Sequence, residues 1–179
     1  MLYSYEQATE IMGSKFLLAQ AVKNDKIYKI EKGIYSYKRY VSELEVISMK
    51  YSKAVFTMNS AFYYYGLTKV KPTHYHIKTE SKAKKLKDLR VKQTYESTHE
   101  LYLGITSLCY DGVCIKIYNK ERLFVELVRS QSKLPPDYYQ EILMNYKKII
   151  DELDIYVLKQ YANVLPKTQR VLKVLETLS

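Results

Sequence analysis

The sequence predicts an α+β fold, and three observations carry that prediction. Residues 4–23 show helical periodicity broken once by a glycine, the stretches 26–37 and 74–118 alternate as short strands do, and the last third is helical. With 179 residues, 47% of them hydrophobic, the chain can bury a core as one domain or as two small ones.

In order along the chain, Ser4 followed by Gln7 fits a capping box opening a helix through about Met12, and Gly13 stops it. Ser14 can cap a second helix. On this helix Leu17, Leu18, Ala21 and Val22 share one face, while Lys15, Phe16, Ala19, Gln20 and Lys23 share the other. Asn24-Asp25 ends it. Lys26–Ile30 and Ile34–Tyr37 then read as strands around Glu31-Lys32-Gly33, with Gly33 suited to a positive φ. Helix, turn, helix and β-hairpin is the order of a winged helix-turn-helix. Gln20 is a base-reading residue type, Lys15 and Lys23 are phosphate-binding types, and Lys26, Lys29 and Lys32 would make a basic wing along a duplex backbone. A plain helical hairpin with a β-ribbon and solvated lysines leaves the same short trace.

Ser42 and Glu45 suggest another capping box, opening an amphipathic helix over 42–52. A short apolar run, "KAVF", precedes a helix from about Asn59 to Tyr65 ended by Gly66. Its consecutive Tyr63, Tyr64 and Tyr65 point different ways and are expected mainly in the core rather than stacked on bases. "HYHIKT" alternates as a strand, and further strands are expected over 91–96, 101–110 and 113–118, the last two joined by an Asp111-Gly112 turn. Helices are expected from Asn119 as a cap, from near Asp137, and over 151–164 and 167–178.

Charge is uneven. Residues 1–92 hold 18 Lys and Arg against 8 Asp and Glu, whereas residues 93–179 hold 11 of each. The whole formal surplus of +10 therefore lies in the first half, a common footprint of a polyanion binder. The densest cluster is Lys82, Lys84, Lys85, Lys87, Arg90 and Lys92 around the single acid Asp88. A solvated lysine-rich surface is the plain alternative.

The chemistry of catalysis leaves little trace. There is no P-loop, nucleophile elbow, dinucleotide fingerprint or zinc-protease helix. His74 and His76 share a strand face but lack supporting ligand types, so neither metal nor cofactor is expected. Glu121 and Arg122 read as an anchor between helix and sheet, and Asp151, Glu152 and Asp154 as helix-start acids. Cys109 and Cys114 would face each other across the Asp-Gly hairpin. A cross-strand disulfide is conceivable, but with no apolar run long enough to span a bilayer and no signal-peptide pattern, a cytoplasmic chain with reduced thiols is expected.

Three segments taken together, "KIYKIEKGIYSY", "KAVFTMNSAFYYYGLTKVKP" and "IKIYNKERLFVELVR", resemble in order and spacing the AbiEi family of bacterial antitoxins, from type IV toxin–antitoxin and phage-abortive-infection systems. The resemblance implies an N-terminal winged helix-turn-helix that binds inverted repeats in its own promoter, with two copies on the DNA. It also implies a C-terminal mixed α/β antitoxin domain with a helical end, opposing a nucleotidyltransferase-like toxin without forming a stable complex with it. The corresponding division is 1–40, lacking the first helix usual in relatives, and 41–179. The DNA-binding set is then Ser14, Lys15, Phe16, Gln20, Lys23, Lys26, Lys29 and Lys32, with Lys82, Lys84, Lys85, Lys87, Arg90 and Lys92 as the basic surface of the C-terminal domain. Tyr65 and Asn59 depart from the histidine and acid common at those positions in relatives. Two other classes stay open at this point: an enzyme that grips nucleic acid with the 82–92 cluster, and a protein-interaction module.

Overall fold

In the computed structural model, which describes residues 1–178, Ser4 ends a short strand β1 (Leu2–Ser4) and caps helix α1 (Tyr5–Met12). The capping box is complete: Ser4 Oγ accepts from the Gln7 amide at 3.2 Å, and Gln7 Oε1 accepts from the Ser4 amide at 2.9 Å. Gly13 takes φ +88° and closes the helix onto the Glu10 carbonyl. Ser14 then caps α2 (Lys15–Lys23) by accepting from the Leu17 amide. Strands β2 (Tyr28–Glu31) and β3 (Ile34–Ser36) follow, and β1 pairs antiparallel with β3 on the side away from β2.

Ala8, Leu18, Ala21, Ile27 and Tyr35 form the core of this unit. Leu17 departs from expectation. It is 46% exposed, because the arc of α2 turned inward is only wide enough for Leu18, Ala21 and part of Val22. The unit extends from Met1 to Ser52, so it also includes α3 (Glu43–Lys50), past the division expected at residue 40. Long-range ion pairs hold α3 there: the Met1 amino group lies 3.4 Å from Glu45, and Lys50 Nζ lies 3.0 Å from Glu31. Ser42 precedes α3 without a side-chain cap bond, and the capping box expected with Glu45 does not form.

The second unit begins at Lys53. Its sheet contains β4 (Val55–Phe56), β5 (Tyr75–Glu80), β6 (Val91–Glu96), β7 (Ile105–Tyr110) and β8 (Val113–Tyr118), in the order β6-β5-β4-β8-β7. Strand β4 runs antiparallel to β5 and parallel to β8, β5 and β6 are parallel, and β7 and β8 form an antiparallel hairpin. Its helices are α4 (Met58–Tyr64), α5 (Thr98–Leu101), α6 (Lys120–Arg129), α7 (Pro136–Lys148), α8 (Ile155–Val164) and α9 (Thr168–Leu178). Helix α6 is buried from Arg122 to Val128 and packs against α4, α8 and α9. The chain as a whole is α+β.

The Asp111-Gly112 turn has both residues left-handed, at φ +49° and +78°, as a two-residue hairpin loop of this composition requires. One pair further back, Cys109 and Cys114 are joined by a disulfide, which corrects the expectation of reduced thiols. The register supplies the reason. The second pair back from a two-residue turn is the close-approach pair of an antiparallel ladder, and the two Cα atoms lie 3.9 Å apart. Tyr63, Tyr64 and Tyr65 are half-buried, with the Tyr64 ring 4.7 Å from that of Tyr110. No helix among the described residues is long and apolar enough to cross a membrane.

Candidate nucleic-acid interface

Helix α2 presents Lys15, Phe16, Ala19, Gln20 and Lys23 to solvent, the five residues expected on its outer face. Phe16 is 70% exposed, an apolar ring that the unit's own core does not need. Ser14 belongs to the same end of the helix, but its hydroxyl is used as the cap. Beside the helix, Lys26, Lys29 and Lys32 are all exposed on the segment leading into and around the hairpin, and Gly33 at φ +81° makes the tip. The acid of the hairpin, Glu31, is ion-paired to Lys50, so these lysines are opposed by little negative charge of their own strand.

The cluster 82–92 divides into three parts. Residues 81–90 form the connection between parallel β5 and β6, which must return along the length of the strands. Gln93 on the outer strand holds it in place: its Oε1 accepts from the Leu86 amide at 2.8 Å, and its Nε2 donates to the Lys84 carbonyl and to Thr79 Oγ1. Lys82, Lys84, Lys85 and Lys87 are exposed on this connection. Arg90 forms a two-point ion pair with Asp88, at 2.9 and 2.7 Å, so it does not add to the open basic surface. Lys92 lines a cavity instead.

The observed boundary also redistributes the charge. Residues 1–52 hold 8 Lys and Arg against 6 Asp and Glu, while residues 53–92 hold 10 against 2. Most of the surplus is therefore in the second unit. In the first unit it is local to α2 and the hairpin, where residues 14–34 hold five lysines against Asp25 and Glu31.

A buried ionic cluster in the second unit escaped the sequence reading except for Arg122. Lys78 on β5 lies 3.2 Å from Glu96 on β6 and 2.9 Å from Glu126 on α6. Arg122, fully buried, contacts both carboxylates, donates to the Glu100 carbonyl and stacks over the Tyr118 ring at 4.7 Å. Arg129 reaches the same two carboxylates through Nη1. Burial alone would raise the Glu126 carboxyl, but Lys78, Arg122 and Arg129 overcome it and hold the group below the usual carboxylate range. Glu96 is likewise lowered against its own burial, first by Lys78. The expectation that Glu121 and Arg122 anchor helix to sheet agrees with the contacts of Arg122, whereas Glu121 accepts from the Asp154 amide just before α8. The one local signal of the rest was the i, i+4 spacing of Arg122 and Glu126.

A cavity of about 460 Å³ opens beside this cluster, lined in part by Asn59, His76, Lys78, Lys92, Glu96 and Arg129. Burial, then Lys92 and His74, push His76 down to about 4, so its imidazole is neutral at pH 7. His74 pairs with Thr73, and no group of three His, Cys, Asp or Glu among the described residues is arranged to hold a metal.

No family model matches the sequence, and no curated protein matches it significantly. Among solved structures the chain is similar to the crystal structure of RV2827C protein from Mycobacterium tuberculosis, with 12% identity and a TM-score of 0.69 over 100% of this chain and 72% of that one. At that identity the likeness is one of fold.

Proposed function

We propose that this chain is a DNA-binding antitoxin that represses its own operon, as the AbiEi resemblance implies, with residues 1–52 acting as a winged helix-turn-helix. The observation that carries the reading is the outer face of α2, where Lys15, Phe16, Gln20 and Lys23 are all exposed beside a hairpin bearing Lys29 and Lys32. The strand order β1-β3-β2 around α1 and α2 supports it, since it leaves the β2–β3 hairpin to project as a wing. In this reading α2 enters the major groove with Gln20 at the base edges and Lys15 and Lys23 on phosphates, while the wing follows the backbone. Two copies on an inverted repeat double the phosphate contacts. The antitoxin role, exerted against a nucleotidyltransferase-like toxin without a stable complex, is assigned to the second unit.

The test is a gel-shift titration of the full chain against its own upstream DNA at increasing salt. With about six phosphate contacts, affinity falls roughly 10³-fold between 50 and 200 mM salt. A flat response rejects the reading.

A further inference from the structure

The ionic cluster of the second unit reaches the cavity through Arg129. Three cations, Lys78, Arg122 and Arg129, meet two carboxylates, Glu96 and Glu126, all of them mostly withdrawn from water. Both carboxylates are held below the usual carboxylate range, and the side chain of a third acid, Glu100, is hydrogen-bonded to Glu96, so these acids already have partners within the cluster. Only Nη1 of Arg129 is engaged with them, which leaves further N–H donors at the cavity edge.

Everything the cavity adds to this is cationic or neutral. Lys92, Lys133 and Lys167 line it, and its only acids are the two already committed. Lys92 and Lys133 are exposed and have no carboxylate partner among the described residues. Met58, Leu134, Pro135 and Pro166 supply an apolar wall, and the partly exposed Tyr95 ring stands at the margin. The volume, about 460 Å³, lies in the range of sites for small organic ligands.

Met58 and Asn59 line the cavity, and together with the preceding Thr57 they carry features that the protein's own contacts leave unmet. Thr57 Oγ1 and Asn59 Oδ1 are buried without a hydrogen-bond partner, and Met58 between them is held at φ +46°. Unmet polar atoms and left-handed non-glycine backbone concentrate where a site has been shaped for something other than folding. Asn59 lines the cavity directly.

We propose that this cavity binds a phosphate group, carried by a small organic molecule or by the end of a nucleic-acid strand. Arg129, Lys92 and Lys133 ligate the phosphate, Asn59 Oδ1 accepts from a hydroxyl or amino group of the organic part, and the apolar wall with Tyr95 takes the rest of it. Phosphate is the favoured anion because it can use several spaced cationic donors at once.

The experiment is calorimetric titration of the full chain at fixed ionic strength with inorganic phosphate, a nucleoside monophosphate, a nucleoside triphosphate, and a dinucleotide with and without a 5′-phosphate. The expected result is saturable binding of at least one phosphorylated probe, weakened at least about ten-fold in a Lys92→Gln/Lys133→Gln variant. Both residues are exposed, so that variant keeps the fold, which its unchanged melting temperature verifies. Preference for the free nucleotide supports the proposal with a metabolite as the source. Preference for the phosphorylated over the unphosphorylated dinucleotide supports it with a strand end as the source. Absence of binding by every phosphorylated probe, a response equal to that of added chloride, or undiminished binding in the double variant overturns it. A Lys29→Ala/Lys32→Ala variant, altered only in the first unit, retains the phosphate response whether or not the chain binds duplex DNA.

Discussion

The Lys78 ammonium lies 2.9 Å from the Glu126 carboxylate, joining the middle of β5 to the buried helix α6. The two residues do not contribute equally to stability, because Glu126 is shared by all three cations whereas Lys78 is one of three cations on the same carboxylates. Replacing Glu126 by Gln removes the carboxylate that all three cations share, which should destabilise the second unit by about 3 kcal/mol or more. Replacing Lys78 by Met leaves two arginines against two glutamates, and the loss should be nearer 1 kcal/mol. Urea unfolding of both variants separates the two cases. If Lys78→Met proves as damaging as Glu126→Gln, the sharing of Glu126 is not what governs the cluster.

Gly104 sits where the chain passes the first turn of α6. A Cβ there would lie 2.7 Å from the Arg122 Cβ and 3.0 Å from Asn119 Oδ1, on a residue already at φ +78°. Asn119 is the cap of α6 and Arg122 its buried anchor, so neither can give way. Gly104→Ala should therefore cost about 3 kcal/mol, combining left-handed strain with overpacking. Gly33, at φ +81° on the hairpin tip, has nothing within 4 Å of its added Cβ, and Gly33→Ala should cost only about 1 kcal/mol. Thermal unfolding of the pair gives the comparison. Equal shifts would show that backbone strain alone decides at both sites.

His76 makes a prediction about pH. Its folded value, about 4, is below the ordinary 6.5, so between these two pH values the unfolded chain binds a proton that the folded chain refuses. Stability contributed by neutral His76 is complete above about pH 6.5 and drains away as pH falls toward 4, by up to about 3 kcal/mol. Glu126 behaves similarly in sign but later: its lowered carboxyl protects the fold above the normal carboxylate range, and that protection is lost as pH falls through its folded value. Unfolding free energies measured from pH 7 to pH 4 should decline in the wild type and flatten in His76→Asn. A slope unchanged by that substitution would assign the decline to other groups.

Most of what could be read from the sequence was decided locally. Ser4 with Gln7, Gly13, Ser14 and Asn119 each set a helix boundary through bonds three or four residues away, and Asp111-Gly112 set its hairpin through φ alone. What distance decides could not be read. Strand β1 is three residues long and exists through its pairing with β3, and α3 is tied to the first unit by Met1 with Glu45 and Glu31 with Lys50. The ionic cluster is the same case in side chains, since Lys78 meets Glu96 across 18 residues and Arg122 meets Glu96 across 26. At the candidate interface, the outer face of α2 followed from periodicity, whereas Arg90 left the basic surface because Asp88 lies two residues before it.

The charge distribution yields the sharpest test of the DNA-binding proposal. Lys29 and Lys32 lie on the hairpin and read no base, so Lys29→Ala/Lys32→Ala should weaken binding to specific and random duplexes alike and reduce the salt slope by about 2. Gln20→Ala should behave differently, losing roughly 1–3 kcal/mol at one base pair while leaving the salt slope intact. The exposed Lys82, Lys84, Lys85 and Lys87 carry much of the surplus of residues 53–92. Their replacement by Gln should lower the salt slope further without changing which sequence is preferred. Gel shifts on the operator and on a scrambled duplex, each at several salt concentrations, read all three outcomes. If Gln20→Ala and the hairpin variant lose affinity in the same proportion on both duplexes, α2 is not the reading element. If the loop variant leaves the slope untouched, the second unit's lysines do not touch the DNA.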